Sequence, residues 1–259
     1  SDQLLFGRLN EQPVVFLPRH GRGHVYSPSS VNYRANIDVL KRSGVNEIVA
    51  LSAVGSLNPK FSPGTFVLPD QFIDRTFNRQ KSFFGTGLVA HVSMARPVCG
   101  KLGKIIMKAA KNIGLTISDR ATYLVMEGPQ FSSKAESELY QSWNCDLIGM
   151  TNMPEAKLAR EAEICYSSIS MVTDFDCWHP DHDEVTVEKI IKTLQQNSEN
   201  AKSLIIELTR QRAKSQSKLS CPCQFALDNA IITNPKNWDK NKIEACSAIA
   251  SRILKTNNQ

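Results

Sequence analysis

From Ile164 to Val172 the chain carries no charged side chain, and the run ends abruptly at Thr173-Asp174-Phe175-Asp176. An apolar stretch of that length reads as a strand buried on both faces, which requires a sheet covered by a layer on each side. The rest of the chain supplies such layers. Short runs rich in Val, Ile and Phe (Pro13 to Leu17, Glu47 to Ser52, Thr65 to Leu68, Ala121 to Glu127, Asp146 to Met150) read as strands. They alternate with helix-period segments at Val31 to Arg42, Gly100 to Ile113 and Val185 to Leu208. Turn residues mark strand ends at Gly55-Ser56, Pro63-Gly64 and Pro69-Asp70, and the glycines at 85 and 87 make Ser82 to Ala90 a loop. Gly114 closes the helix from Gly100, and Ser132 or Ser133 with Glu136 forms a capping box for a helix carrying Leu139 and Tyr140. Pro154-Glu155 suits the first turn of a helix to Ala162, since proline has no amide to lose there.

The pattern predicts an α/β fold: one domain over residues 1–259, with a central mixed β-sheet flanked by helices. From about residue 209 onward we expect a helical extension that holds Cys221-Pro222-Cys223 and a last helix from Lys242 to Leu254. A length of 259 residues is within the range of a single α/β domain. With 41% hydrophobic and 22% charged residues and no bilayer-length apolar run, the expectation is a cytoplasmic protein with no membrane association. The 31 basic residues are scattered, giving a net charge of +6 without an aromatic-interleaved stripe, so nucleic acid is not an expected partner. Of the seven cysteines, Cys99, Cys145, Cys165, Cys177 and Cys246 stand alone in sequence and read as buried thiols. The Cys221-Pro222-Cys223 pair admits a strained disulfide, half a metal site or two free thiols; the free thiols are preferred by a small margin.

In open α/β sheets ligands gather beyond the carboxyl ends of strands. Four polar clusters lie at such ends: Arg19-His20 with Gly21-Arg22-Gly23-His24, Ser52-Ala53 with Gly55-Ser56, Met150-Thr151-Asn152, and Asp174-Phe175-Asp176. The arginine fork, the imidazole and the two hydroxyls suit an oxyanion, so Arg19, His20, Ser52 and Thr151 are candidates for one such site. The plainer reading for each cluster is a salt-bridged arginine and hydroxyls that cap turns. Two nearby carboxylates repel, so one of Asp174 and Asp176 can keep a proton and donate it, while the other accepts. A purine leaving group needs such a donor at N7, and an adenine offers its amino group to an acceptor. A turn with Asx hydrogen bonds or half a metal site is the alternative for the pair.

The stretches RHGRGH, VNYRANI, SAVGSL, PDQFIDRT, EGPQFSSKAES, GMTNMPEAKLAREA and TDFDCW resemble, in order and out to about Leu208, the 5'-methylthioadenosine phosphorylases of the trimeric nucleoside phosphorylase class. The resemblance implies the nucleoside phosphorylase fold. It also implies a phosphate site at Arg19, His20, Ser52, Ala53 through its amide, and Thr151. A ribose contact at Met150 and an aromatic wall at Phe131 follow by the same likeness, although core packing alone would also explain both. Ser132 and Asp174 match the adenine-type pair, where 6-oxopurine enzymes carry Glu and Asn. Asp174 would then face N7 and Asp176 the 6-amino group. Val185, Val187 and Ile190 match an apolar 5' pocket that His91 reaches from a neighbouring subunit of a homotrimer. The implied reaction is phosphorolysis of methylthioadenosine to adenine and 5-methylthioribose 1-phosphate, in purine and methionine salvage, with phosphate as co-substrate and no cofactor or metal. Family members also carry an upstream strand ending in a glycine-rich turn with Ser or Thr, whereas this sequence opens downstream of it at Ser1-Asp2. A sheet lacking that strand exposes an edge. That opening makes a truncated, non-catalytic nucleoside-binding paralogue one alternative; within the enzyme class the other is an inosine or guanosine phosphorylase, against which Ser132 and Asp174 argue.

Overall fold

The computed structural model describes residues 1–179, 187–214 and 220–256. Its centre is β9 (Cys165–Asp174), buried along its length until Asp174. Successive side chains leave a strand on opposite faces, and here each face meets its own core. Tyr166 and Val172 pack with Ile37 and Leu40 of α1 (Tyr33–Arg42) and Leu158 of α4 (Asn152–Glu161). Ile169 and Met171 pack with Ile106 of α2 (Gly100–Asn112) and Leu204 of α5 (Val187–Lys214). Ile169 is fully buried, worth about 1.5–3 kcal/mol in transfer free energy.

A sheet of seven strands forms around β9, in the order β5-β7-β8-β3-β9-β4-β6. The elements are β3 (Glu47–Ser56), β4 (Phe66–Leu68), β5 (Gln71–Arg75), β6 (Ile117–Asp119), β7 (Thr122–Met126) and β8 (Leu147–Gly149). Pairing is mixed: β3 and β9 run parallel, while β8 meets β3 and β4 meets β9 antiparallel. Along β3, β9 pairs from Glu47 to Gly55, whereas β8 reaches only Gly55 and Ser56. The expected mixed α/β architecture is therefore present.

Several local expectations need correction. The turn predicted at Gly55-Ser56 is strand: β3 continues through it with a bulge between Val54 and Gly55, which bends a strand without ending it. The first strand belongs to a hairpin, β1 (Leu5–Leu9) with β2 (Gln12–Phe16), turned by Asn10 and Glu11 at φ of 49° and 63°. Two positive-φ residues are what a two-residue hairpin loop demands. Asn10 then anchors the hairpin on α5, its amide donating to the Ile206 carbonyl at 2.8 Å. β5 escapes sequence reading because an edge strand with exposed ends keeps no clean alternation.

In the extension, the helix expected from Lys242 to Leu254 is two short ones, α6 (Lys240–Ala245) and α7 (Ser251–Thr256). The Ser247 amide takes an i−3 carbonyl, Glu244, at 3.1 Å, and the tightened turn drives Ile249 and Ala250 into the core. The capping box is made by Ser133 with Glu136, which leaves the Ser132 hydroxyl outside it.

Candidate active site

At the carboxyl end of β3 the sequence SAVG presents its side chains alternately: Ser52 and Val54 are buried, Ala53 is exposed. The Ser52 hydroxyl lies 3.2 Å from the Thr151 hydroxyl and donates to Asn152 Oδ1 at 3.2 Å. Asn152 in turn donates to Ser168 Oγ at 2.8 Å, and Tyr166 OH reaches Asn152 Oδ1 at 3.2 Å. A second Tyr166 bond, 2.9 Å to Glu155 Oε1, links these hydroxyls to the carboxylate that grips Arg19. Arg19 donates through Nη2 to Glu155 Oε1 at 2.7 Å and through Nε to Oε2 at 3.0 Å. Its Nη1 donates to the carbonyl of Leu51, beside Ser52, at 3.2 Å. A guanidinium has about five N–H donors, so this cradle uses three and leaves the remainder of the fork for an oxyanion. The salt-bridged reading of Arg19 is thus correct, and it positions the fork without exhausting it.

His20 sits next to this group. Its Nδ1 lies 2.8 Å from the Tyr26 carbonyl, an acceptor only, so Nδ1 carries the proton and Nε2 is the free nitrogen. Burial lowers the imidazole's affinity for a second proton. The Tyr26 carbonyl opposes that, and the neighbouring His24, its ring stacked at 4.2 Å, adds to it.

Three residues further along β3, roughly 10 Å by strand rise, Gly55 faces the two aspartates. A Cβ there would come within 3.0 Å of both Asp174 Oδ1 and Ile148 Cγ2, so a side chain at 55 would push the carboxyl away. Asp174 ends β9 and accepts from the Thr173 hydroxyl at 2.7 Å and the Asp176 amide at 2.9 Å. The second bond closes an Asx-type turn, and Asp176 enters it at a φ of 53°. The pair therefore occupies a turn with an Asx hydrogen bond, one of the alternative readings open from sequence. Asp176 is 4% exposed and accepts from Ser137 Oγ of α3 (Lys134–Ser142) at 2.7 Å. Burial pushes the Asp174 carboxyl above the ordinary carboxylate range, against its two hydrogen bonds. Burial does the same to Asp176; the Ser137 hydroxyl opposes the rise and the charge of Asp174 adds to it. Trp178 Nε1 donates to the Ser56 carbonyl at 2.7 Å and fixes the turn over the end of β3.

Between the two clusters runs Gly149-Met150-Thr151. The Met150 sulfur lies over Gly128, where an added Cβ would stand 2.5 Å from it and where φ is +67°. Arg79, fully enclosed, holds this region together. It donates to the carbonyls of Met150 at 2.6 Å, Met153 at 2.7 Å and Glu127 at 2.7 Å, and pairs with the Glu127 carboxylate at 3.7 Å. Sequence reasoning missed Arg79, Glu127, Glu155 and Ser137 as site-building groups. Glu155 had a signal, a carboxylate next to proline at a helix start, but it read as a dipole partner when it is the counterion of Arg19.

The structure therefore brings Arg19, Ser52 and Thr151 into one network, and Asp174 with Asp176 into another. Ser132 lies near the second, its hydroxyl 3.8 Å from the Met126 sulfur. Phe131 is 43% exposed and Val187, at the start of α5, is 61% exposed. Ile190 is half-buried and His91 is exposed, with its amide on the Ala230 carbonyl at 2.9 Å. Val185 lies outside the described residues.

Residues 1–210 match the phosphorylase superfamily. The chain is 56% identical over 254 residues to the S-methyl-5'-thioadenosine phosphorylase of Rhodospirillum rubrum, covering 98% of this chain and 86% of that protein. It is 54% identical over 255 residues to the one from Cereibacter sphaeroides, covering 98% and 88%. A solved methylthioadenosine phosphorylase from an antarctic soil metagenomic library superposes with a TM-score of 0.89 at 44% identity, over 95% of this chain and 86% of that one. The Schistosoma mansoni methylthioadenosine phosphorylase in complex with adenine gives 0.80 at 30% identity, over 96% and 86%. With a mixed sheet that carries a cradled arginine and hydroxyls near Ser52 of β3 and, against Gly55 of that strand, the carboxyls of Asp174 and Asp176 from the end of β9, the chain belongs to the phosphorylase superfamily.

Proposed function

We propose that this chain is an S-methyl-5'-thioadenosine phosphorylase that converts 5'-methylthioadenosine and phosphate to adenine and 5-methylthioribose 1-phosphate. One observation carries the reading. Asp176 is buried and Asp174 half-buried, desolvation raises both carboxyls above the ordinary range, and both sit against Gly55 on the strand whose Ser52 joins the Arg19 network. A protonated Asp174 donates to N7 as the bond to C1' breaks, and Asp176, oriented by Ser137, accepts from the 6-amino group. Phosphate, held by the free part of the Arg19 fork with Ser52, Thr151, His20 and the Ala53 amide, attacks the opposite face of the sugar. Positioning and charge stabilisation supply the rate, with no covalent enzyme intermediate and no organic cofactor in the steps. Met150 and Phe131 line the sugar and the base. Val187 and Ile190 line the methylthio pocket, with His91 delivered by a neighbouring subunit of a homotrimer.

A coupled assay for adenine release tests this. The expected result is turnover of methylthioadenosine that requires phosphate, with kcat/KM far above that for inosine. Phosphate-independent release, or a preference for inosine, rules it out. Light scattering of the purified chain tests the trimer.

A further inference from the structure

The cysteine ledger read from sequence changes in three dimensions. Cys99 and Cys165 do not stand alone: with Cys221 and Cys223 they place four sulfurs within 4.8 Å of one another, all four residues buried. Cys99 and Cys221 sulfurs are 3.4 Å apart and those of Cys221 and Cys223 are 3.3 Å apart. We infer that these four cysteines form a tetrahedral thiolate site for a single zinc-type divalent ion, whose role is to fasten the C-terminal extension to the sheet.

The geometry suits that ion. A zinc bound by four thiolates at about 2.3 Å separates its sulfurs by about 3.8 Å, a value between the 3.3 Å of the Cys221–Cys223 pair and the 4.8 Å limit of the cluster, so side-chain adjustments of an ångström or less complete the tetrahedron. An all-sulfur, closed set selects a soft tetrahedral cation over magnesium or calcium. The ligands come from three remote segments: Cys99 caps α2, Cys165 opens β9, and Cys221 and Cys223 flank a proline whose fixed φ presents both thiols from one short turn. The surroundings suit thiolates as well. The Leu102 amide donates to the Cys99 sulfur at 3.4 Å at the start of α2, where the helix dipole favours negative charge. Lys101 Nζ donates to the Ser220 carbonyl at 2.7 Å and draws the segment bearing Cys221 onto the same helix end.

Four protein ligands leave no open position for a substrate, the mark of a structural site. Its place agrees: Cys165 and Asp174 are opposite ends of β9, roughly 30 Å apart by strand rise. The ion would take no part in nucleoside chemistry.

The test uses the full chain, purified under reducing conditions without chelator. Metal analysis should find about one zinc per chain, and cobalt(II) substitution should give the intense sulfur-to-cobalt absorption of a tetrahedral thiolate site. Thiol titration of the native chain with and without chelator should show Cys99, Cys165, Cys221 and Cys223 gaining reactivity when the metal is removed, while Cys145 and Cys246, shielded by burial alone, do not change. Cys223→Ser should lose the zinc, and Cys246→Ser, a buried cysteine outside the cluster, should keep it. Should Cys223→Ser fail to fold, the wild-type cobalt spectrum still decides. A reduced, folded chain that takes up neither zinc nor cobalt overturns the inference. So does an intact mass lower by about 4 Da, two disulfides in place of four thiolates, that persists in protein made and kept under reductant.

Discussion

Replacing Glu155 by Gln tests the idea that a buried carboxylate holds Arg19 in place for the proposed phosphate contact. The carboxylate is 7% exposed and accepts two bonds from Arg19 and one from Tyr166. Glutamine can keep Oε1, with the Arg19 Nη2 and Tyr166 bonds. It puts an NH2 where Oε2 stood, 3.0 Å from Arg19 Nε, so donor faces donor. The guanidinium, 14% exposed, then lacks a counterion. Removing one partner of a buried pair costs about 3–5 kcal/mol, most of it from the stranded charge. For a chain of this size that lowers Tm by roughly 6–20 °C. Calorimetry measures this directly, and KM for phosphate should rise because the fork is no longer aimed. A second readout separates aim from stability. At about 100 times its Kd, phosphate stabilises the native state by about 2.7 kcal/mol, and at the same concentration the variant should gain less. A Tm within about 2 °C of the parent, together with an unchanged KM for phosphate, would refute the argument that Glu155 organises the site.

Asp174→Asn separates stability from function. Its raised pKa means the folded state prefers the protonated carboxyl, so stability is full below the ordinary value of 3.8 and is lost as pH rises through the raised value. The amide has no such loss, so the variant should melt no lower than wild type at neutral pH while kcat/KM falls at least about 100-fold. It should also abolish the alkaline limb of the wild-type pH profile. Asp74 has the opposite sign. Burial would raise it, but bonds from Lys157 at 2.5 Å, Thr76 at 2.6 Å and Lys81 at 3.0 Å bring it down to about 2. Its contribution is present above 3.8 and disappears as pH falls toward 2; Asp74→Asn should lose about 1–2 kcal/mol at pH 7 after solvent screening and flatten the acid limb of the stability curve. Arg79→Met leaves three carbonyls without their donor and should cost about 3–5 kcal/mol, read by denaturant unfolding, with KM for the nucleoside rising because the Met150 and Met153 segments lose their tie.

Much of this molecule is written locally. The charge-free run at Ile164 is β9, the Ser133–Glu136 box starts α3, and Met150-Thr151 and Asp174 fall at the carboxyl ends of β8 and β9, because periodicity, capping and turn chemistry act over a few neighbouring residues. Asp174 and Asp176 were legible for the same reason, as polar groups ending an apolar strand. What local rules could not supply was partnership across the chain. That Glu155 serves Arg19, 136 residues away, and that Ser137 orients Asp176, depends on strand order. That order minimises exposed apolar surface over the whole chain and leaves no mark on any one segment. The four cysteines make the point most plainly. Three segments with nothing in common in sequence meet at one point because α2, β9 and the turn after α5 bury the same face of the sheet.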